Sequence, residues 1–165
     1  MKVIPYSKQF IDKADVKAVT KTLYSDYLTT GPVVKKFENK LAEYCNSKYA
    51  ICLNSATSGL LLACKALGLK KKDIVWSTPI TFVSSLNCAL HCGCTIDLVD
   101  INLENFNICE KKLEKKLHQA KKDKKLPKVV IVVHLGGVSC NMKKIYMLSR
   151  KYKFKIIEDA SHALG

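Results

Sequence analysis

The stretch Val129-Val130-Ile131-Val132-Val133 is a run of five β-branched apolar residues with no polar residue among them. Successive side chains of a strand point to opposite faces, so a half-buried strand alternates apolar with polar. A run that never alternates has to be covered on both faces. Parallel sheets with helices on each side provide that cover. This segment therefore points to an α/β architecture and away from a sandwich or a helical bundle.

The rest of the chain repeats the theme. Short β-branched or apolar runs at Tyr49–Leu53, Ile74–Ser77, Thr95–Val99 and Phe154–Glu158 alternate with helical patterns. Helices are expected over Asp12–Tyr24, with Val16, Val19 and Leu23 on one stripe, and after Gly31-Pro32, with Phe37, Leu41 and Tyr44 on one face. Others are expected over Thr57–Leu67, closed by Gly68, and over Phe82–His91, Glu110 to about Ala120, and Met142–Tyr152. Five strands separated by helices predict a mainly parallel sheet with helices on both faces. Residues 1–46 read as an N-terminal helical segment and 47–165 as the sheet region. The chain stops at Leu164-Gly165 just after a strand, which suggests the N-terminal part of a larger domain.

Charge and cysteine content exclude several classes. Lys+Arg 28 against Asp+Glu 14 gives a net charge of +14. Arg150 is the only arginine, however, and arginine is the usual bidentate reader of bases and phosphates. The lysines crowd between Lys111 and Lys128, as on a solvated helix face and loop, so no nucleic-acid partner is expected. No apolar run reaches the roughly 18–20 residues of a membrane span. Met1–Ser7 has no apolar signal core, and a cytoplasmic protein is expected. The 8 cysteines sit in apolar runs, as Cys52, Cys64 and Cys88 do, and read as buried free thiols. Cys88, His91, Cys92 and Cys94 lack paired metal-ligand spacing, so no metal is expected.

Ligands of open α/β sheets bind beyond the carboxyl ends of the strands. Three segments at such ends carry polar or unusual residues. Asn54-Ser55-Ala56-Thr57-Ser58-Gly59 opens a helix and reads either as a phosphate cradle or as an ordinary hydroxyl cap. Phe82, in Thr78-Pro79-Ile80-Thr81-Phe82, is a candidate to stack on a flat heterocycle or to fill the core. Asp159, in Glu158-Asp159-Ala160-Ser161-His162, is a candidate partner for a pyridinium N–H⁺ or a loop cap, with His162 beside it. Phosphate cradle, aromatic face and carboxylate together describe a pyridoxal phosphate site.

These residues also carry a resemblance. Leu28-Thr29-Thr30-Gly31-Pro32 with Phe37-Glu38, Asn54-Ser55-Ala56-Thr57-Ser58, Thr78-Pro79-Ile80-Thr81-Phe82-Val83, Val99-Asp100-Ile101 and Glu158 through Gly165 occur in order and correctly spaced. In this the chain resembles the sugar aminotransferases of the DegT/DnrJ/EryC1/StrS family, from about Ile4 to Gly165. The resemblance implies the large domain of a fold-type I pyridoxal-phosphate transferase, a homodimer, with the small C-terminal domain absent from this chain. It implies pyridoxal 5′-phosphate held by Ser55, Ala56, Thr57 and Ser58 at the phosphate, Phe82 on the ring, Asp159 at the ring nitrogen and His162 near the phenolic oxygen. Thr30 and Gly31 are implied on the substrate side.

Ile4-Pro5-Tyr6, Ser25-Asp26-Tyr27 and Trp76-Ser77 point to the branch acting in pseudaminic acid biosynthesis. Members of that branch move an amino group from glutamate to a UDP-linked 4-keto-6-deoxy-N-acetylhexosamine. The alternatives are another nucleotide-sugar aminotransferase, a pyridoxamine-dependent sugar dehydratase, or a non-catalytic pairing module. The family's Schiff-base lysine is expected beyond residue 165, so no catalytic residue is assigned within the chain. His134-Leu135-Gly136-Gly137-Val138 departs from the polar pattern the family usually carries there.

Overall fold

A computed structural model describes residues 8–164. The Ile4-Pro5-Tyr6 phrase and Gly165 lie outside the described residues. The chain divides into two compact units, one through Cys52 and one from Leu53.

The first unit holds α1 (Lys13–Leu23) and α2 (Pro32–Tyr44). Asp12 caps α1 by accepting the Ala14 and Asp15 amides, and Asp15 returns a bond to the Asp12 amide. Pro32 starts α2 where its missing N–H costs nothing. Gly31 precedes it because a Cβ there would stand 2.8 Å from Tyr27 Cβ. Neither helix buries a residue, so the Val16, Val19 and Leu23 stripe forms as expected but is exposed.

Tyr49–Leu53 is not a strand, contrary to expectation. A strand needs a neighbouring strand for its amides, and here the Cys52 amide donates to the Glu38 Oε1 carboxylate of α2 instead, at 3.0 Å.

The second unit is the α/β body. It runs α3 (Ala56–Ala66), β1 (Ile74–Ser77), α4 (Ser84–His91), β2 (Thr95–Leu98), α5 (Glu110–Lys122), β3 (Val129–Val133), a 3₁₀ turn (Leu135–Gly137), α6 (Met142–Tyr152) and β4 (Lys155–Asp159). The four strands are ordered β2-β1-β3-β4 and every pairing is parallel. All five residues of β3 are buried, as their unbroken apolar pattern requires. The sheet is four-stranded, one fewer than the sequence suggests, because of the Tyr49–Leu53 segment.

Helices cover both faces. On one face Leu113 and Leu117 of α5 and Ile145 and Leu148 of α6 pack with Trp76, Val130 and Val132. On the other, Leu60 and Cys64 of α3 and Cys88 and Ala89 of α4 pack with Val75, Val129, Ile131 and Ile157. The chain moves from β1 outward to β2 through α4, then back across the sheet to β3 and on to β4 through α5 and α6. Right-handed crossovers turn that reversal of direction into helices on opposite faces. The reversal also opens a crevice at the carboxyl ends of β1 and β3.

The far end of the sheet orients α3. Lys128, just before β3, donates from Nζ to the Gly68 carbonyl at 2.6 Å and pairs with Asp73 at 2.8 Å. The carboxyl end of α3 is thereby tied to the amino ends of the strands, and its amino end points toward the crevice side.

Candidate functional site

Asp159 closes β4 and is only 8% exposed. Its Oδ2 accepts from Ser85 Oγ at 2.6 Å, and its Oδ1 accepts from Ser161 Oγ at 2.6 Å and from the Ser161 amide at 3.3 Å. Burial alone pushes the carboxyl's pKa up, but the Ser161 and Ser85 hydrogen bonds and the nearby His162 outweigh it. The group therefore sits below its ordinary range and is ionised at neutral pH.

Ser85 lies fully buried in the first turn of α4. Thr81 Oγ1 stands 2.8 Å from Ser85 Oγ. A hydroxyl has one proton, and that of Ser85 goes to the carboxylate, so Thr81 donates to Ser85. The result is a relay Thr81→Ser85→Asp159 that fixes the anion at a strand end. Sequence reasoning missed Ser85, because a serine in the first turn of a helix looks like any polar cap residue. Its spacing of four from Thr81 was the available signal.

Ser55 caps α3 on the same face of the sheet. Its Oγ accepts the Ser58 amide at 3.2 Å and lies 3.1 Å from Ser58 Oγ. Among the described residues no acceptor meets the Ala56 and Thr57 amides, so the positive end of α3 presents two free N–H groups, with the exposed Thr57 side chain among them. Phe82 is 72% exposed, which excludes the core reading. It precedes α4, which begins at Ser84 and not at Phe82 as the sequence suggested. His162 is exposed in the turn after β4. Asp159, Ser85 and the amino ends of α3 and α4 thus share one face of the sheet at its carboxyl end. Thr30 and Gly31 belong to the first unit, where Thr30 is exposed with φ 48°.

The cysteines are free; Cys64, Cys88, Cys94 and Cys140 are buried and Cys52, Cys92 and Cys109 half-buried, but Cys45, just past the end of α2, is exposed, contrary to expectation. Among the described residues no group of three or more His, Cys, Asp or Glu is placed to hold a metal ion, and no helix is long and apolar enough to cross a membrane. An open groove of about 850 Å³ runs between α6 and β4, lined by Met142, Tyr146, Phe154, Lys155 and Glu158, away from Ser55 and Phe82.

The fold is that of an aminotransferase. The structure of the Helicobacter pylori aminotransferase involved in the biosynthesis of pseudoaminic acid matches with a TM-score of 0.90 and 33% identity, over 99% of this chain and 43% of that one. A Streptococcus pneumoniae protein, solved in its pyridoxamine phosphate form, matches with a TM-score of 0.86 and 30% identity, over 99% of this chain and 43% of that one.

Residues 9–165 match the DegT/DnrJ/EryC1/StrS aminotransferase family, and the chain belongs to that family. Aminotransferases of this family use pyridoxal phosphate, and the Streptococcus pneumoniae protein has also been solved in its pyridoxal phosphate form. A Campylobacter jejuni UDP-4-amino-4,6-dideoxy-N-acetyl-beta-L-altrosamine transaminase is 46% identical over 163 residues, which is 99% of this chain and 42% of that protein. The chain therefore spans about two fifths of the length of this curated relative.

Proposed function

We propose that this chain is the N-terminal part of the pyridoxal-phosphate-binding domain of a nucleotide-sugar aminotransferase, acting on a UDP-linked 4-keto-6-deoxy-N-acetylhexosamine with glutamate as amino donor. The observation that carries the reading is the ionised, buried Asp159, held by Ser85 and Ser161, on the sheet face toward which the α3 amino end points. The residues fit the cofactor: a fixed anion suits a protonated ring nitrogen, and free amides at a helix amino end suit a phosphate. When bound, pyridoxal phosphate supplies the electron sink that lets an amino group pass between carbon skeletons.

In this reading Ser55, Ala56, Thr57 and Ser58 bind the phosphate through the α3 amides and hydroxyls. Asp159 keeps the ring-nitrogen proton in place, the exposed Phe82 covers one ring face, and His162 stands beside the ring. Thr30 and Gly31 contact substrate across a homodimer, a role supported by the exposed position of Thr30 and the uncovered apolar stripe of α1. The Campylobacter relative's 46% identity supports the choice of sugar. A cytoplasmic location goes with a UDP-sugar substrate.

The test is binding by equilibrium dialysis of pyridoxal phosphate to the full chain. Saturable binding that Asp159→Ala weakens by about tenfold or more is expected, since a charge-assisted contact contributes on the order of 1.5–3 kcal/mol. Absence of saturable binding by the unaltered chain overturns the reading. Ligand-observed NMR with the UDP-keto-sugar against the free keto-sugar then tests the substrate class.

A further inference from the structure

The His134–Val138 turn takes no part in the site described above, yet more side-chain hydrogen bonds converge on it than an ordinary surface turn requires. Asn107, 2% exposed, grips both of its ends: Oδ1 accepts the Leu135 amide at 3.0 Å and Nδ2 donates to the Val138 carbonyl at 2.8 Å. His134 is also buried. Its Nδ1 accepts the Cys140 amide at 3.1 Å, so the ring proton sits on Nε2 and is donated to Glu158 Oε2 at 3.0 Å.

The turn touches the Asp159–His162 loop at both of the loop's ends. At one end the His134 amide donates to the Asp159 carbonyl at 3.1 Å. At the other, a Cβ placed on Gly137 would stand 2.8 Å from the His162 carbonyl oxygen, so the two backbones meet there with no room for a side chain. Gly137 has φ 86° and Gly136 φ 62°, both in the left-handed region. A Cβ on Gly136 would meet nothing within 4 Å.

We propose that this turn is a rigid brace for the Asp159–His162 loop, with Asn107 and His134 as positioning residues and Gly137 as the point of contact. The brace rests on the cofactor reading above for its purpose, because a carboxylate has to be held to within a fraction of an ångström to face a ring nitrogen. Their role is exerted through the Asp159 and His162 backbone, which the turn contacts directly.

The glycine pair supplies its own control. Gly136→Ala and Gly137→Ala both force a side chain into left-handed backbone, and only Gly137→Ala also presses on the His162 carbonyl. Two readouts are taken on the full chain: amide hydrogen exchange at Ser161, His162 and Ala163, and pyridoxal phosphate affinity by dialysis. Gly137→Ala is expected to speed that exchange by about tenfold and weaken binding by about tenfold. Gly136→Ala is expected to leave both within about twofold despite a similar loss of thermal stability. Should Gly137→Ala not fold, Asn107→Ala reports through the clamp, with the same direction expected and about a threefold effect on each readout.

Unchanged exchange and affinity in the folded Gly137→Ala protein, or in Asn107→Ala where that variant takes its place, overturn the brace, as do equal effects from the two glycine variants. Failure of the unaltered chain to bind pyridoxal phosphate refutes the cofactor reading instead, and the exchange comparison still decides the brace.

Discussion

Ser85 Oγ donates to Asp159 Oδ2 at 2.6 Å across a sequence separation of 74 residues, linking the first turn of α4 to the last residue of β4. Ser85→Ala leaves that oxygen without its donor in a buried place, which costs about 1–3 kcal/mol of stability at neutral pH. Pyridoxal phosphate affinity is expected to fall as well, by about tenfold. Urea midpoints and dialysis measure the two effects, and a variant unchanged in both would remove Ser85 from the site.

The same carboxylate gives a signed pH dependence. Its pKa in the folded chain is lowered, burial being overcome by the Ser161 and Ser85 bonds and by His162. Its ionisation therefore stabilises the fold above the ordinary value of about 3.9 and ceases to do so as pH falls through the lowered one. The stability difference between the natural chain and Asp159→Asn should be constant above about pH 5 and should shrink below about pH 4. Urea titrations from pH 2.5 to 6 would show it; a gap that widened in acid would contradict the assignment.

Thiol reactivity should separate by position. Cys45 is exposed, whereas Cys64 and Cys140 are buried. The Cys140 thiol is pushed up to about 11 by burial, and that of Cys64 is raised by the neighbouring Cys88 thiol and by burial. Because the thiolate is the reactive form, a two-unit rise in pKa slows Cys140 by about a hundredfold at pH 8 even before access is considered. Alkylation followed by peptide mapping should find Cys45 labelled first and Cys64 and Cys140 labelled only on unfolding.

Leu117 and Thr78 probe the core in opposite directions. Leu117 is fully buried between α5 and the sheet, so Leu117→Ala should cost about 2–5 kcal/mol, read as a lower urea midpoint at constant slope. Among the described residues the buried Thr78 hydroxyl meets no hydrogen-bond partner. Thr78→Val keeps the shape and removes the stranded dipole, so stability should hold or rise by up to about 1 kcal/mol.

How much of this was legible in the sequence depended on whether a signal was local. β3 was plain because an unbroken apolar run has few other uses, and α6 because Ile145, Leu148 and Tyr152 recur at helical spacing. Tyr49–Leu53 misled because strand character is settled by a partner, and here the Glu38 side chain takes the amide. Asp159 was legible as one of two acids, Glu158-Asp159, at the carboxyl end of an expected strand, where open α/β sheets bind their ligands. Ser85, Asn107 and His134 were not, since each earns its place through a bond to residues 24 to 74 positions away that no pattern encodes.

Among the described residues β4 pairs with β3 alone. The carboxylate at its tip is therefore anchored from β3 and from Ser85, with no ladder on the other flank among the described residues. Any chain that docked along that flank would stiffen the backbone that carries Asp159, which in the proposed reading the bound cofactor also holds. By thermodynamic reciprocity, edge occupancy and cofactor affinity would then strengthen one another by a single shared factor.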